Sequence, residues 1–270
     1  YNARGKTGLE YLELTNTGTV PINLSGVRFD QGAPFNELIL PDFVMSPSQR
    51  IIVTNDRVGF ESIYGNGPVI VSDWAGGSLS NGGEQIVLRD PDGNIIHRFE
   101  YDNNGGWAER ADGGGGSLVI IDTEADYDDE NNWRASYEFG GSPGKGSGVS
   151  DNSLIITEVL SHTDLPSLDT IEIKNLSNSS IDISGWYISD SDANWMKYKI
   201  PVGTSVPPQG FVVFDESEFN PNGLWNSDAG EPSDSEFAIS SGGDQVYLIE
   251  ANNDQPQYYA AEQEFGASRN

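Results

Sequence analysis

Residues 79–88 read LSNGGEQIVL, and residues 239–248 read ISSGGDQVYL. Each stretch carries a Gly pair, then an acid, a Gln and an alternating apolar run. In a chain without low-complexity bias, such a match calls for a wider comparison. EYLELTN (10–16) answers DTIEIKN (169–175), and INLSGVRF (22–29) answers IDISGWYI (181–188). PSQRIIVTND (47–56) answers PPQGFVVFDE (207–216). Gly26 and Gly185 lie 159 positions apart, and Gly82 and Gly242 lie 160 apart. A period near 160 is too long for a solenoid repeat and marks a duplicated domain.

The matched pieces alternate apolar and polar residues at period two. Tyr11, Glu13 and Thr15 fall on one side of a strand, and Leu12 and Leu14 on the other. LRDPDGNIIHRF (88–99) predicts a hairpin turned by Pro91-Asp92-Gly93-Asn94. Gly26 and Gly185, each between apolar residues, predict a bulge or bend, and the Gly pairs predict a turn entering a core strand. Short strands at 8–12-residue spacing, separated by polar turns, predict antiparallel β-sandwiches. No amphipathic helix of useful length is expected.

FGGSPGKGSGVSDNS (139–153) reads as a flexible linker between the copies. The expected domains are residues 1–147 and residues 148–270. SLIITEVLS (153–161) is a strand without a counterpart in domain one. SLVIIDTEADYDDENNW (117–133) has none in domain two. The expectation is therefore that domain one lacks its first strand and domain two its last. Either the chain is clipped from a longer protein, or strands from elsewhere complete the sheets.

Composition narrows the function classes. The 270 residues include 42 acids against 14 bases, a net charge of −28. That charge repels phosphate backbones and anionic membranes, so nucleic acid is not an expected partner. No apolar run approaches the ~20 residues that span a bilayer, and no membrane insertion is expected. Cys is absent, which removes disulfides, thiolate metal sites and thiol nucleophiles together.

The stretch IITEVLSHTDLPSLDTIEIKNLSNSSIDISGWYISDSDANWMKYKIPVGTSVPPQGFVVFDE (155–216) resembles the bacterial lamin-tail domain. The resemblance rests on the strand DTIEIKN, the corner ISGW, the hairpin SDSDANWMKYKIPVGTSVP and the strand GFVV, in that order. Domain one carries a weaker version, with Val27 where the second copy has Trp186. Its close, DENNWRAS followed by FGGSPG, is similar to the common lamin-tail ending. The resemblance implies two tandem immunoglobulin-like antiparallel β-sandwiches without catalytic residues. It also implies an accessory module of large secreted or surface proteins, often beside enzymes.

Candidate chemistry is sparse. Only His97 and His162 carry imidazoles, and neither sits in a nucleophile, zincin or phosphate-loop motif. His97 is expected as a cross-strand side chain, and His162 as a turn or capping residue. Asp122, Asp126, Asp128, Asp129 and Glu130 crowd one loop, and Asp190 and Asp192 stand two apart in another. Closely spaced hard oxygen ligands suit calcium, although neither stretch is an EF-hand loop. The alternative is a solvated acidic loop whose Asp side chains cap turns. Trp186 is expected in the core, whereas Trp195 and Trp225, in polar loops, are candidates for stacking on a ligand or for anchoring their loops.

The expected function is a non-catalytic binding or spacer segment of a larger secreted or cell-surface bacterial protein. Its partners would be a protein or polysaccharide surface and the flanking domains of the same protein. Two rivals remain at this level. One is a substrate-holding accessory region of an enzyme, and the other a surface-layer or filament component completed by neighbouring strands.

Overall fold

Period-two alternation becomes paired strands in both copies. The computed structural model describes residues 9–30, 34–74, 76–146, 148, 153–161, 167–191, 194–219, 237, 239–240 and 242–266. Two units form, Tyr1–Ser136 with Gly140–Ser147, and Tyr137–Phe139 with Gly148–Asn270.

Unit 1 contains β1 (Tyr11–Thr15), β2 (Ile22–Asn23), β3 (Arg28–Phe29), β4 (Leu38–Ile39), β5 (Val44–Met45) and β6 (Arg50–Thr54). An eight-residue helix α1 (Arg57–Tyr64) and strands β7 (Ile70–Asp73), β8 (Glu84–Arg89) and β9 (Ile95–Tyr101) follow. A last pair, β10 (Leu118–Ile120) and β11 (Trp133–Ala135), closes it. The sheet orders are β1-β6-β7 and β4-β3-β8-β9, with β2–β5 and β10–β11 as two-stranded ribbons. Ile51 and Val53 of β6 share one buried core with Ile86 and Leu88 of β8. Leu12 and Leu14 pack against that core, while Tyr11 turns the other way onto Phe60 and Tyr64 of α1.

Unit 2 contains β12 (Leu154–Leu160), β13 (Thr170–Asn175), β14 (Ile181–Asp182), β15 (Tyr187–Ser189), β16 (Tyr198–Lys199), β17 (Ser205–Val206) and β18 (Phe211–Asp215). A short helix α2 (Glu216–Phe219) precedes the long hairpin β19 (Gly243–Asn252) and β20 (Gln255–Gly266). The sheets are β12-β13-β18 and β16-β15-β19-β20, with β14–β17 as a ribbon. Ile171, Ile173, Phe214, Val246 and Leu248 lie in its core.

The two opening stretches read alike because they build the same clasp. In unit 1 the Ser80 N–H donates to Glu84 Oε1 at 2.8 Å, and the Gly82 N–H to Ser80 Oγ at 3.2 Å. In unit 2 the Ser240 N–H donates to Asp244 Oδ2 at 3.0 Å, and the Gly242 N–H to Ser240 Oγ at 3.2 Å. Gly83 and Gly243 take φ of 98° and 109°, where a side chain would run into the partner strand's backbone. Acid, Ser and Gly are thus each required by one turn.

Four details differ from the sequence reading. Gly26 and Gly185 sit in tight turns rather than bulges, with Val27 N–H donating to Leu24 O and Trp186 N–H to Ile183 O. Helix α1 forms in unit 1, capped by Asp56, whose side chain accepts from Gly59 N–H. Strand β7 runs parallel to β6, the one parallel pairing among the described strands. Finally, Glu13 faces Ile52 whereas Glu172 faces Val213, so β18 is slipped by one residue against the simple alignment. The core chooses the register, because a one-residue slip exchanges the buried and exposed faces.

Candidate functional site

The acidic run of unit 1 is a loop wound around one amide side chain. Asn132 is 7% exposed. Its Nδ2 donates to the carbonyls of Asp122 and Asp126 at 3.0 and 3.1 Å, and its Oδ1 accepts from Asp122 N–H at 2.9 Å. The indole N–H of Trp133 donates to Tyr127 O at 2.9 Å. Carboxylates close the smaller turns. Asp122 accepts from Glu124 N–H, Asp126 from Asp128 N–H, and Asp129 from both nitrogens of Asn131. The Asn131 side chain, then its backbone, holds the Asp129 carboxyl below its ordinary pKa. Asp128 reaches sideways and accepts from Glu100 N–H on β9 at 2.9 Å. Among the described residues no three Asp, Glu or His side chains converge as a metal group.

An aromatic row runs beneath that loop. Trp107 lies 6.0 Å from Trp133, Trp133 lies 5.1 Å from Phe99, and Phe99 lies 6.0 Å from Tyr127. Tyr127 in turn lies 4.8 Å from the exposed His97 ring. Burial, with Glu124 and Asp122 nearby, raises the Tyr127 pKa. The loop therefore presents carboxylates around a Tyr–His pair at the outer end of the row. Sequence reasoning looked for aromatics inside polar loops and missed this pairing. The signal available was Tyr127 within the acidic run itself, together with the alternate residues His97 and Phe99 on one strand face.

In unit 2 Asp190 follows β15, and its Oδ1 lies 2.7 Å from Lys197 Nζ. Both side chains are nearly inaccessible, at 4% and 8%. A cationic side chain thus compensates the Asp190 carboxylate. Burial raises the pKa of the neighbouring Asp244, with Asp190 adding to the shift and Lys197 opposing it. Asp192, Trp225 and His162 lie outside the described residues.

A family model described as Lamin Tail Domain matches residues 1–103 and 149–261. The chain belongs to the lamin-tail family. The match falls on both copies, and the fold is immunoglobulin-like, as expected. No curated protein and no solved structure matches the chain.

The first lamin-tail match stops at residue 103, so the acidic loop, with Trp107, Tyr127 and Trp133 of the aromatic row, lies beyond the matched pattern, while His97 and Phe99 lie within it. Trp195 sits in the second lamin-tail unit as part of a satellite cluster. Its ring meets Phe139 edge-on at 4.4 Å and lies 6.3 Å from Tyr259. Tyr187, Tyr247 and Ile249 complete that cluster, so Trp195 anchors its loop. Trp186 is half-buried against the main core, while Val27 at the matching corner is buried.

Both lamin-tail units repeat a buried Asn. The Nδ2 of Asn16 donates to Val20 O and Met45 O, and its Oδ1 accepts from Gly18 N–H. The Nδ2 of Asn175 donates to Ser179 O and Val206 O, and its Oδ1 accepts from Ser177 N–H. The duplicated polar side chains hold strands and turns together.

Proposed function

We propose that the chain is a non-catalytic binding and spacer segment of a larger secreted or cell-surface protein, meeting a protein or polysaccharide surface. One observation carries this reading. The polar devices kept in both copies, Asn16 with Asn175 and the Ser80–Glu84 with Ser240–Asp244 clasps, are architectural. What was duplicated is a scaffold, and a lamin-tail sandwich is compatible with such a role. The contact surface is the acidic loop of unit 1, where Tyr127 and His97 offer ring faces and the surrounding carboxylates offer acceptors for hydroxyls.

The test is retention on insoluble polysaccharides and cell-wall material, with calcium and with chelator, for the wild type and Tyr127→Ala. Retention lost in Tyr127→Ala but insensitive to chelator supports ring contact. Retention that follows calcium would assign the work to Asp122, Asp126, Asp128, Asp129 and Glu130 instead. No retention on any material would leave the spacer role alone.

A further inference from the structure

At one place unit 2 buries a lysine where unit 1 carries an acid. Asp190 directly follows β15, Lys197 directly precedes β16, and those two strands pair antiparallel. Among the described strands β16 is at the edge of its sheet, held to β15 by two residue pairs, Tyr187 with Lys199 and Ile188 with Tyr198. In unit 1, 160 positions earlier, Asp30 takes the place of Asp190 and Glu37 that of Lys197. There Asp30 pairs with Arg89, and the two side chains remain 22% and 29% exposed. In unit 2 the carboxylate meets a primary amine instead, with Lys197 Nζ 2.7 Å from Asp190 Oδ1 and both side chains nearly inaccessible. Lysine is seldom buried that deeply, and an ion pair taken out of water carries a large desolvation cost. The fold can balance this carboxylate nearer the surface, as unit 1 does.

We infer that Lys197 and Asp190 condense into an amide, an intramolecular cross-link between the ends of β15 and β16. The step is a dehydration. A proton passes from the Lys197 ammonium to the Asp190 carboxylate, since burial favours the neutral pair over the charged one. The amine lone pair attacks Asp190 Cγ, and the N–C bond forms. The nitrogen then gives up one further proton, a C–O bond of the tetrahedral carbon breaks, and hydroxide leaves with that proton as water. No oxidant or other co-reactant enters. Asp244 is the acid placed to relay the proton. It is close enough to feel both charges, and the N–H groups of Ser240 and Gln245 fix its carboxyl at 3.0 and 2.8 Å. Burial, above all, raises its pKa, so it keeps a proton to exchange. Holding two reacting groups in alignment is worth an effective concentration of about 10⁵ M or more. The released water has little access back to a site this closed. The product replaces a costly buried ion pair by a neutral amide, and it fastens a two-residue edge strand in a chain without Cys for a disulfide. Arg89 cannot do the same at Asp30, because a guanidinium stays protonated. This inference goes beyond the proposed contact surface, which lies in unit 1, and does not depend on it.

The experiment is mass spectrometry of the full chain, intact and after trypsin. The folded protein should weigh one water less than its sequence. Trypsin cuts after Lys174 and Lys197 when both are free, but an acylated Lys197 resists it. The expected product is therefore peptide 175–199, lighter by one water, with fragmentation placing the bond between Asp190 and Lys197. Peptide 175–197 released at its full mass would overturn the proposal. The same peptide lighter by one water would mean a cyclised Asp alone, and would overturn it too. Lys197→Arg should restore the full mass, and a loss of water that persists in this variant would contradict the assignment. In Asp244→Asn, sampled at equal times after synthesis, the bond should form at least about a hundredfold more slowly. Formation at the wild-type rate would overturn the part given to Asp244. The wild-type peptide map needs no variant to fold. Polysaccharide retention is read separately, so loss of this proposal would leave the proposed function intact.

Discussion

Asn16 and Asn175 each close a turn and tie it to a neighbouring strand, at 3% and 0% exposure. Removing either amide leaves one buried carbonyl, that of Met45 or of Val206, without its partner, together with a carbonyl and an N–H nearer the surface. An unsatisfied buried group costs ~1–3 kcal/mol, and relaxation with entering water offsets part of the sum. Asn16→Ala and Asn175→Ala should each lose about 2 kcal/mol in urea unfolding, and a loss under about 0.5 kcal/mol would remove their architectural role. Glu10 makes an opposite prediction. It is 7% exposed, and its carboxylate accepts from Leu79 N–H at 2.8 Å and Asn55 Nδ2 at 3.3 Å. Burial nevertheless raises its pKa above 4.5. A raised carboxyl binds its proton more tightly in the folded state, so this site favours folding more as pH falls through the folded value. Glu10→Gln should therefore raise the Tm near neutral pH, and the gain should shrink as pH falls toward 4.5. A Tm loss largest at neutral pH would show the charged form to be the stabilising one. Both Asn residues close matching strands, EYLELTN and DTIEIKN, but burial, which gives them meaning, is not written in a single strand.

At the scale of elements, the residues Tyr137–Phe139 belong to unit 2. Tyr259 N–H donates to Tyr137 O at 2.8 Å, and Phe139 N–H donates to Gln257 O at 3.2 Å, with Glu138 bridged to Tyr258. The Phe139 ring stacks on Tyr259 at 4.3 Å and meets Trp195. Phe139→Ala should destabilise unit 2 by ~3–4 kcal/mol, with a change in Trp195 emission. A change below ~1 kcal/mol would mean that the ring merely rests on the surface. Alternation, turn chemistry and the duplicated clasp made most strands legible, because one strand face must be buried and Gly must take positive φ. Helix α1 escaped notice since its eight residues include Gly59, Val58 and Ile63, all weak helix formers, and packing of Phe60 on Tyr11 sustains it. The Asp190–Lys197 pair was equally hidden, because seven positions in sequence say nothing about a buried meeting.

Over the whole molecule, a net charge of −28 and a pI near 4.1 mean that folding gathers like charges together. Raising salt from about 0.01 M to about 0.1 M shortens the Debye length from ~30 to ~10 Å. The Tm should rise over that range without any specific cation. A rise with calcium but not with equivalent ionic strength of sodium would instead point to a bound ion at the acidic loop. The chain is two lamin-tail sandwiches, each built around its own core. Scanning calorimetry of two fragments, residues 137–270 and residues 148–270, tests it most directly. The longer fragment should unfold in one cooperative transition, and the shorter should melt lower because it lacks Phe139. An unfolded longer fragment, or identical melting of the two, would contradict the account.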